Sequence, residues 1–290
     1  MSERSDLVGV ILAAGRGTRM MPFSERHPKP ILPVIGKPLL AHQIESLRDV
    51  GIRRVYVVIG HLGFEIVQAL GDGSSFGVEI RYVEQENALG IAHAVSRLEP
   101  HVSSPFLLLL GDIFFVHKGL GRMVELLRQG EVDGVLAVKE EPSPEAIQRN
   151  FVVLEDDEGF VRRVIEKPRH PQTHLKGCGI YLFDPSFFDA IRRTPRTAMR
   201  DEYEITDSIQ IFVDDGHGVK AARVIDEDLN LSYPSDLLDI NLRLLGDRAH
   251  VGRGVKLAEG ATVRRSVILD GAVIEEPIVI EDSLVFPGTR

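Results

Sequence analysis

At 290 residues, with 43% hydrophobic and 27% charged side chains, the chain has an ordinary globular make-up, long enough for one large domain plus an appendage. Acidic residues outnumber basic ones 43 to 34, and a net charge of −9 argues against a nucleic-acid binder, which carries a basic face. The longest apolar runs, such as Phe106 to Leu110, are far too short to span a bilayer, the mixed-charge start Met1-Ser2-Glu3-Arg4-Ser5-Asp6 is no signal peptide, and a lone Cys178 allows neither an intrachain disulfide nor a Cys-based zinc site. A cytoplasmic protein with no membrane and no nucleic-acid partner is expected.

In chain order, β-rich runs fall at Val8–Ala13, Arg54–Ile59, Glu79–Val83, Phe106–Leu110 and Gly134–Val138. Between them, Leu39–Val50, Phe64–Leu70, Ile91–Leu98 and Gly119–Arg128 carry apolar residues three and four apart, the spacing of a helix with one buried face. Strands separated by helices predict βαβ units. The expected fold is therefore α/β, a Rossmann-like, mostly parallel sheet with helices on both faces. The middle third is richer in strands (Phe151–Leu154, Val161–Ile165, Gly179–Phe183), and helices return at Pro185–Arg193, Ile205–Val213 and Ser235–Leu245.

The last 40 residues change character. Val255, Ala261, Val267, Val273, Val279 and Val285 recur every six residues, and Val251, Leu257, Val263 and Leu269 form a second register. Small residues (Gly254, Gly260, Ser266, Ala272) precede four members of the first register, which argues against a chance run of valines. A hexad is neither helical nor a simple strand alternation. It predicts a short C-terminal left-handed parallel β-helix of about two coils, with the boundary at Gly246–His250. An acyltransferase built on this repeat is disfavoured, because no well-placed histidine is present. A role in assembly, as a homo-oligomer, is expected instead.

The first strand runs into Leu12-Ala13-Ala14-Gly15-Arg16-Gly17-Thr18-Arg19. A glycine-rich turn at the carboxyl end of a parallel strand lets backbone N–H groups cradle phosphate oxygens. The dinucleotide fingerprint fails here, since its third glycine position holds Met20, and so does the Walker A loop, since Thr18-Arg19 follows Gly17. Gly15-x-Gly17 alone is equally compatible with a tight structural turn. Arg19 directly after it, and Lys29 in the proline-stiffened His27-Pro28-Lys29-Pro30, place two cations beside the cradle and suit a highly charged substrate.

Leu12-Ala13-Ala14-Gly15-x-Gly17-Thr18-Arg19 with Pro28-Lys29 resembles the signature of the sugar-1-phosphate nucleotidyltransferases, the glucose-1-phosphate thymidylyltransferases being the nearest group. Further blocks follow in that family's order: Gln85-Glu86-Asn87-Ala88-Leu89-Gly90-Ile91-Ala92-His93-Ala94, Leu110-Gly111-Asp112, Ile165-Glu166-Lys167-Pro168, Gly179-Ile180-Tyr181 and Glu204-Ile205-Thr206-Asp207. The resemblance spans roughly residues 7 to 245 and assigns 1–246 to a nucleotidyltransferase catalytic domain and 247–290 to the hexapeptide-repeat segment.

The resemblance implies in-line displacement at the nucleotide's α-phosphorus by a sugar 1-phosphate, releasing pyrophosphate. dTTP or UTP and glucose 1-phosphate are the favoured substrates, and Mg²⁺ the cofactor. Such a step needs positioning and charge neutralisation, with no protein nucleophile. By the same resemblance Leu12, Ala14, Gly15, Gly17, Thr18 and Arg19 hold the triphosphate, with Gln85 and Gly90 reading the base. Arg19, Lys29, Asp112 and Lys167 are catalytic, and Lys29, Glu166, Lys167, Tyr181 and Arg200 bind the sugar phosphate. Asp112 and Asn230 hold the metal. Two positions depart from the family pattern. Asn230, in Asp228-Leu229-Asn230, stands where a metal-binding aspartate is usual, and Phe151 stands where a glycine commonly opens backbone to a sugar hydroxyl. A non-catalytic, nucleotide-sugar-binding regulator is the alternative these departures raise.

Overall fold

A computed structural model describes residues 7–198 and 201–290. Among them, in chain order, lie β1 (Val8–Ala13), a hairpin of β2 (Pro33–Val34) and β3 (Lys37–Pro38), α1 (Leu39–Asp49), β4 (Arg54–Ile59), α2 (Gly63–Leu70), β5 (Glu79–Glu84), α3 (Ile91–Ser96), β6 (Phe106–Leu110) and β7 (Ile113–His117). Then come α4 (Gly121–Arg128), β8 (Gly134–Glu140), α5 (Pro144–Ile147), β9 (Phe151–Glu155), β10 (Val161–Glu166), β11 (Leu175–Phe183), α6 (Phe187–Arg193), α7 (Ile205–Asp214), β12 (Val219–Ala222), β13 (Ile225–Asn230) and α8 (Pro234–Leu245).

Nine of these strands form the central sheet, in the order β10-β9-β11-β6-β1-β4-β5, with β8 also on β11 and β12 on β8. β11 and β10 run against the other strands, so the sheet is mostly parallel, as expected. Each face has its own apolar core. Val95, Ile191, Ile205 and Phe212 bring α3, α6 and α7 onto one face, and Leu40, Ile66 and Met123 bring α1, α2 and α4 onto the other. The helices do lie on both faces, as strands buried on two sides require. β7 and β13 pair with each other outside this sheet.

The tail is a stack of short parallel strands: β14 (His250–Val251), β15 (Lys256–Leu257), β16 (Thr262–Arg264), β17 (Val267–Ile268), β18 (Val273–Ile274), β19 (Val279–Glu281) and β20 (Leu284–Val285). β14 pairs with β17, β17 with β20, β15 with β18 and β16 with β19, all parallel, which fits a short β-helix. Partners across each ladder lie 17 residues apart, as in the Arg253 N–H to Asp270 bond. A strict six-residue register therefore slips by one residue per coil, and a one-residue slip turns a side chain to the opposite face of its strand. Ile268, Ile274 and Ile280 fill the interior, with Val255, Ala261 and Val285 of the six-residue register packed against them, while Val279 is 63% exposed. Val267 is fully buried, but against Leu245, Leu269, Ile35 and Phe286, where the tail docks on the larger unit. Phe23 stacks on Phe286 at 5.4 Å across the same seam.

Candidate active site

β1 lies between β6 and β4, so its carboxyl end opens at the centre of the sheet edge. The main chain of Gly111, just past β6, donates to Leu12 O at 2.9 Å, drawing the end of β6 onto the loop that follows β1. In that loop Ala14 is buried, Gly15 and Thr18 are exposed, and a Cβ on Gly15 would meet nothing within 4 Å. The protein itself makes no packing demand for glycine at 15, and the space above it is free for a ligand. Gly17 is left-handed (φ 63°) and the stem of Lys29 lies against it. Thr18–Met20 forms a single 3-10 turn that buries Met20 and leaves Arg19 exposed, its guanidinium 5.7 Å over the Tyr233 ring.

Lys29 is only 7% exposed, although it sits in a loop. Its ammonium lies 3.8 Å from the Asp112 carboxylate, and burial lowers its pKa below the ordinary lysine value, against the opposing pull of Asp112. Asp112 follows Gly111 at the end of β6 and is half exposed. Its carbonyl accepts from Leu231 N–H at 2.9 Å, and Asn230 is paired in register with Ile113. The β7–β13 pairing thus brings Asn230, which is exposed, beside Asp112. One carboxylate and one amide oxygen form an all-oxygen donor set, which suits a hard divalent cation that takes its other ligands from water and phosphate. No cluster of three His, Cys, Asp or Glu able to hold a metal occurs among the described residues.

Gln85 continues β5. Its N–H donates to Ile59 O at 2.8 Å, and its side chain, 5% exposed, reaches Gly90 O at 3.4 Å and His93 Nδ1 at 2.8 Å. Gln85 and Gly90 are therefore brought together. Glycine at 90 has a steric reason. Gly90 has φ 104°, and a Cβ there would come within 2.5 Å of Tyr203 O. Tyr203 N–H donates to Leu89 O at 2.8 Å and Ala92 N–H to Tyr203 O at 3.0 Å. The chain segment before α7 therefore packs against the backbone at Gly90 and leaves no room for a side chain there.

On the other flank, Glu166 ends β10, with Lys167 Nζ 3.3 Å from its carboxylate and Thr206 Oγ1 donating to it at 3.4 Å. Lys167 is exposed and left-handed (φ 42°), held by its N–H to Asn150 O at 2.7 Å. A non-glycine residue in that region carries strain that the surrounding hydrogen bonds must hold. Tyr181 is corrected. It is 2% exposed, its ring stacked between Phe151 at 6.1 Å and Phe183 at 6.2 Å, so it belongs to the core and presents no surface to a sugar. Phe151 is buried too, its ring lying directly over Gly177, where any Cβ would collide with it. The bulk at 151 is absorbed by the missing side chain at 177. Arg200 lies outside the described residues.

Sequence reasoning passed over four charges beneath this edge. Lys139 on β8 and Lys176 on β11 both contact Asp228 of β13, at 2.9 and 2.6 Å, and Lys139 also meets Glu141 at 3.1 Å. Asp228, its side chain 1% exposed, sits two residues before Asn230 on the same strand face. The signal was available, since Lys139 and Lys176 each interrupt an apolar strand. His93 was likewise inside a quoted block without a role.

A glycine loop, a buried lysine and an aspartate meet at the carboxyl edge of the mostly parallel sheet, an arrangement chemically suited to anionic groups such as phosphates. A nucleotidyl transferase family model matches residues 8–241. The chain belongs to the sugar-1-phosphate nucleotidyltransferase family. It is 37% identical over 257 residues to the low-salt glycan biosynthesis nucleotidyltransferase Agl11 of Haloferax volcanii, covering 88% of this chain and 70% of that one. It is 36% identical to the UTP–glucose-1-phosphate uridylyltransferase AglF of the same organism (81% and 95% covered) and 33% to a Streptomyces griseus glucose-1-phosphate thymidylyltransferase (97% and 81%). Among solved structures, a putative glucose-1-phosphate thymidylyltransferase from Bacillus anthracis superposes with a TM-score of 0.72 at 27% identity, over 81% of this chain and 94% of that one. The nucleotidyltransferase is thus an enzyme of nucleotide-sugar synthesis.

Proposed function

We propose that the enzyme transfers a nucleotidyl group from dTTP or UTP to glucose 1-phosphate, with Mg²⁺, giving the nucleotide sugar and pyrophosphate. The observation that carries this reading is the buried Lys29, 3.8 Å from Asp112, with its stem against the Gly17 turn: anion cradle, cation and metal-binding acid share one site. The names of the Haloferax and Streptomyces relatives support the choice of nucleotide and sugar. Backbone groups of Leu12, Ala14, Gly15, Gly17 and Thr18 hold the triphosphate, and exposed Arg19 stabilises charge on the departing pyrophosphate. Lys29 draws the two anionic partners together. Lys167 and Arg200 hold the sugar phosphate, and Glu166 accepts from sugar hydroxyls. Asp112 and Asn230 would hold Mg²⁺, whose chemistry is to neutralise the phosphates as charge shifts to the leaving group. Pyrophosphate release, measured for a matrix of nucleoside triphosphates and sugar 1-phosphates, is expected to be largest for the proposed pair and to stop with EDTA. A purified protein that binds nucleotide sugar yet is inactive across the matrix would make it a regulator instead.

The tail supports assembly as a homo-oligomer, since Val251, Leu257, Ile278 and Val279 are 47, 41, 45 and 63% exposed there. Truncation after Gly246 is expected to leave residues up to 246 folded, with a lower Tm because Leu245 and Ile35 lose their cover. It should also reduce the mass found by light scattering. An unchanged mass would remove the tail from assembly, and an unfolded product would make it part of the core. No helix among the described residues is long and apolar enough to cross a membrane. A cytoplasmic location fits the buried free thiol of Cys178.

A further inference from the structure

We propose that His93 is a positioning residue that locks the Gln85 amide with its carbonyl oxygen toward the cleft, so that the site selects nucleotides whose base carries an imino N–H. This rests on the nucleotide-binding role given to Gln85 above. A glutamine amide is ambidextrous. Rotated one way it accepts from a base, and rotated the other way it donates. Left to rotate, Gln85 would serve uracil and cytosine alike.

Two contacts remove that freedom. Gln85 Nε2 points at Gly90 O, at 3.4 Å, and a carbonyl can only accept. The same nitrogen donates to His93 Nδ1 at 2.8 Å, so Nδ1 is the unprotonated nitrogen of a neutral ring. The proton then sits on Nε2. The contacts of Gln85 with Gly90 and His93 thereby fix tautomer and amide together. The ring is held in place by Tyr203, stacked at 6.2 Å and 25°, which in turn lies under the Arg196 guanidinium. Burial, helped by the charge of Arg97, lowers the pKa of His93 below the usual histidine value and keeps the ring neutral near pH 7.

What remains of Gln85 is Oε1. No donor among the described residues reaches it, and it is not among the polar atoms sealed from solvent. Gln85 stands at the carboxyl end of β5, two strands from the phosphate loop in the order β1-β4-β5, so this lone acceptor belongs to the same edge. Uracil and thymine offer N3–H to such an acceptor. Cytosine offers a lone pair at that atom, and two facing lone pairs leave both polar groups unsatisfied.

The test measures Kd by calorimetry for UTP and CTP, and KM and kcat by pyrophosphate release, in wild type and three variants. His93→Leu and His93→Ala remove the acceptor with and without filling the ring's space. His93→Asn can set a carbonyl oxygen near the Nδ1 position. Losing one hydrogen bond of about 1.4 kcal/mol is tenfold in affinity. The UTP-over-CTP preference should therefore fall about tenfold in the Leu and Ala variants, through Kd and KM rather than kcat, and recover in His93→Asn. An unchanged UTP:CTP ratio in whichever of the two folds, or a wild type that binds CTP as tightly as UTP, overturns the assignment. A wild type that prefers UTP yet releases no pyrophosphate would instead sink the proposed reaction, and binding would still judge His93. Binding of neither nucleotide would overturn both.

Discussion

Asp228→Ala is expected to destabilise the enzyme by about 3–5 kcal/mol, the cost of stripping one partner from a buried ion pair. The carboxylate is sealed from solvent, and its two oxygens rely on the ammonium groups of Lys139 and Lys176, at 2.9 and 2.6 Å. Lys176, its side chain 4% exposed, would be left with Glu141 at 4.0 Å as its remaining acid. Burial opposes the charge on Lys139, yet Asp228 and Glu141 together hold its pKa above the ordinary lysine value, while Lys139 and the Ser143 N–H hold Glu141 below its own. The signs set the pH range. The Lys139 contribution is complete below its unfolded pKa and fades as pH rises through the raised folded value. The Glu141 contribution is complete above its unfolded pKa and fades as pH falls through the lowered one. The quartet therefore stabilises most across the neutral range. Thermal unfolding at pH 7 should show Asp228→Ala melting on the order of 10 °C lower, with Asp228→Asn, which keeps shape but not charge, in between. A melting temperature within a degree of wild type would mean that the two lysines reach water and that the quartet is not a buried network.

This quartet also marks where sequence reasoning stopped. β1, β4 and β6 were legible to the residue because apolar runs bounded by Gly, Pro or charge leave one reading. β13 was not. Ile225-Asp226-Glu227-Asp228-Leu229-Asn230 holds four polar residues among six, and Asp and Glu are depleted in strands. It becomes a strand because β7 supplies the ladder and two lysines from the sheet neutralise its inward acid, none of it local in sequence. β7 itself was hidden by Gly111-Asp112, which reads as a strand end. β11 starts at Leu175, four residues before the expected start, since Gly177 and Lys176 look like loop until the Phe151 ring over Gly177 and the buried acid at Lys176 are in place.

In the site, residues whose roles depend on the order of blocks along the chain came together: the Gly15–Arg19 loop, Lys29, Asp112, and Gln85 with Gly90. Roles that depend on which way a side chain faces did not. Tyr181 sits where expected along the chain, but it turns into the aromatic stack with Phe151 and Phe183. In the tail, the hexad pointed to a parallel coil while the 17-residue ladder chose which valines face in. A repeat read along the chain carries no information about the one residue dropped in each coil.

The largest loss of rate is expected for Asp112→Ala, on the order of 10³-fold, the scale of removing a charge that acts in the transition state. Asp112 supplies the one protein carboxylate assigned to Mg²⁺ and also faces Lys29 at 3.8 Å, so alanine removes a ligand and leaves a partly buried ammonium without that acid. Asn230 is the informative comparison. It is set beside Asp112 by the β7–β13 register, and its amide oxygen has the same reach as a carboxylate with one charge fewer. Because Mg²⁺ keeps waters and phosphate oxygens, a neutral ligand is sufficient. Asn230→Asp should therefore stay active and reach half-maximal rate at a several-fold lower Mg²⁺ concentration. Asn230→Ala should need roughly tenfold more, the cost of about 1.4 kcal/mol in lost coordination. Asp112→Ala should remain slow at any concentration, since added metal cannot restore the missing charge. Rate against Mg²⁺ concentration for wild type and the three variants separates these outcomes. If Asn230→Ala titrates like wild type, Asn230 is no ligand, and the ion must be held by Asp112 with substrate and water alone.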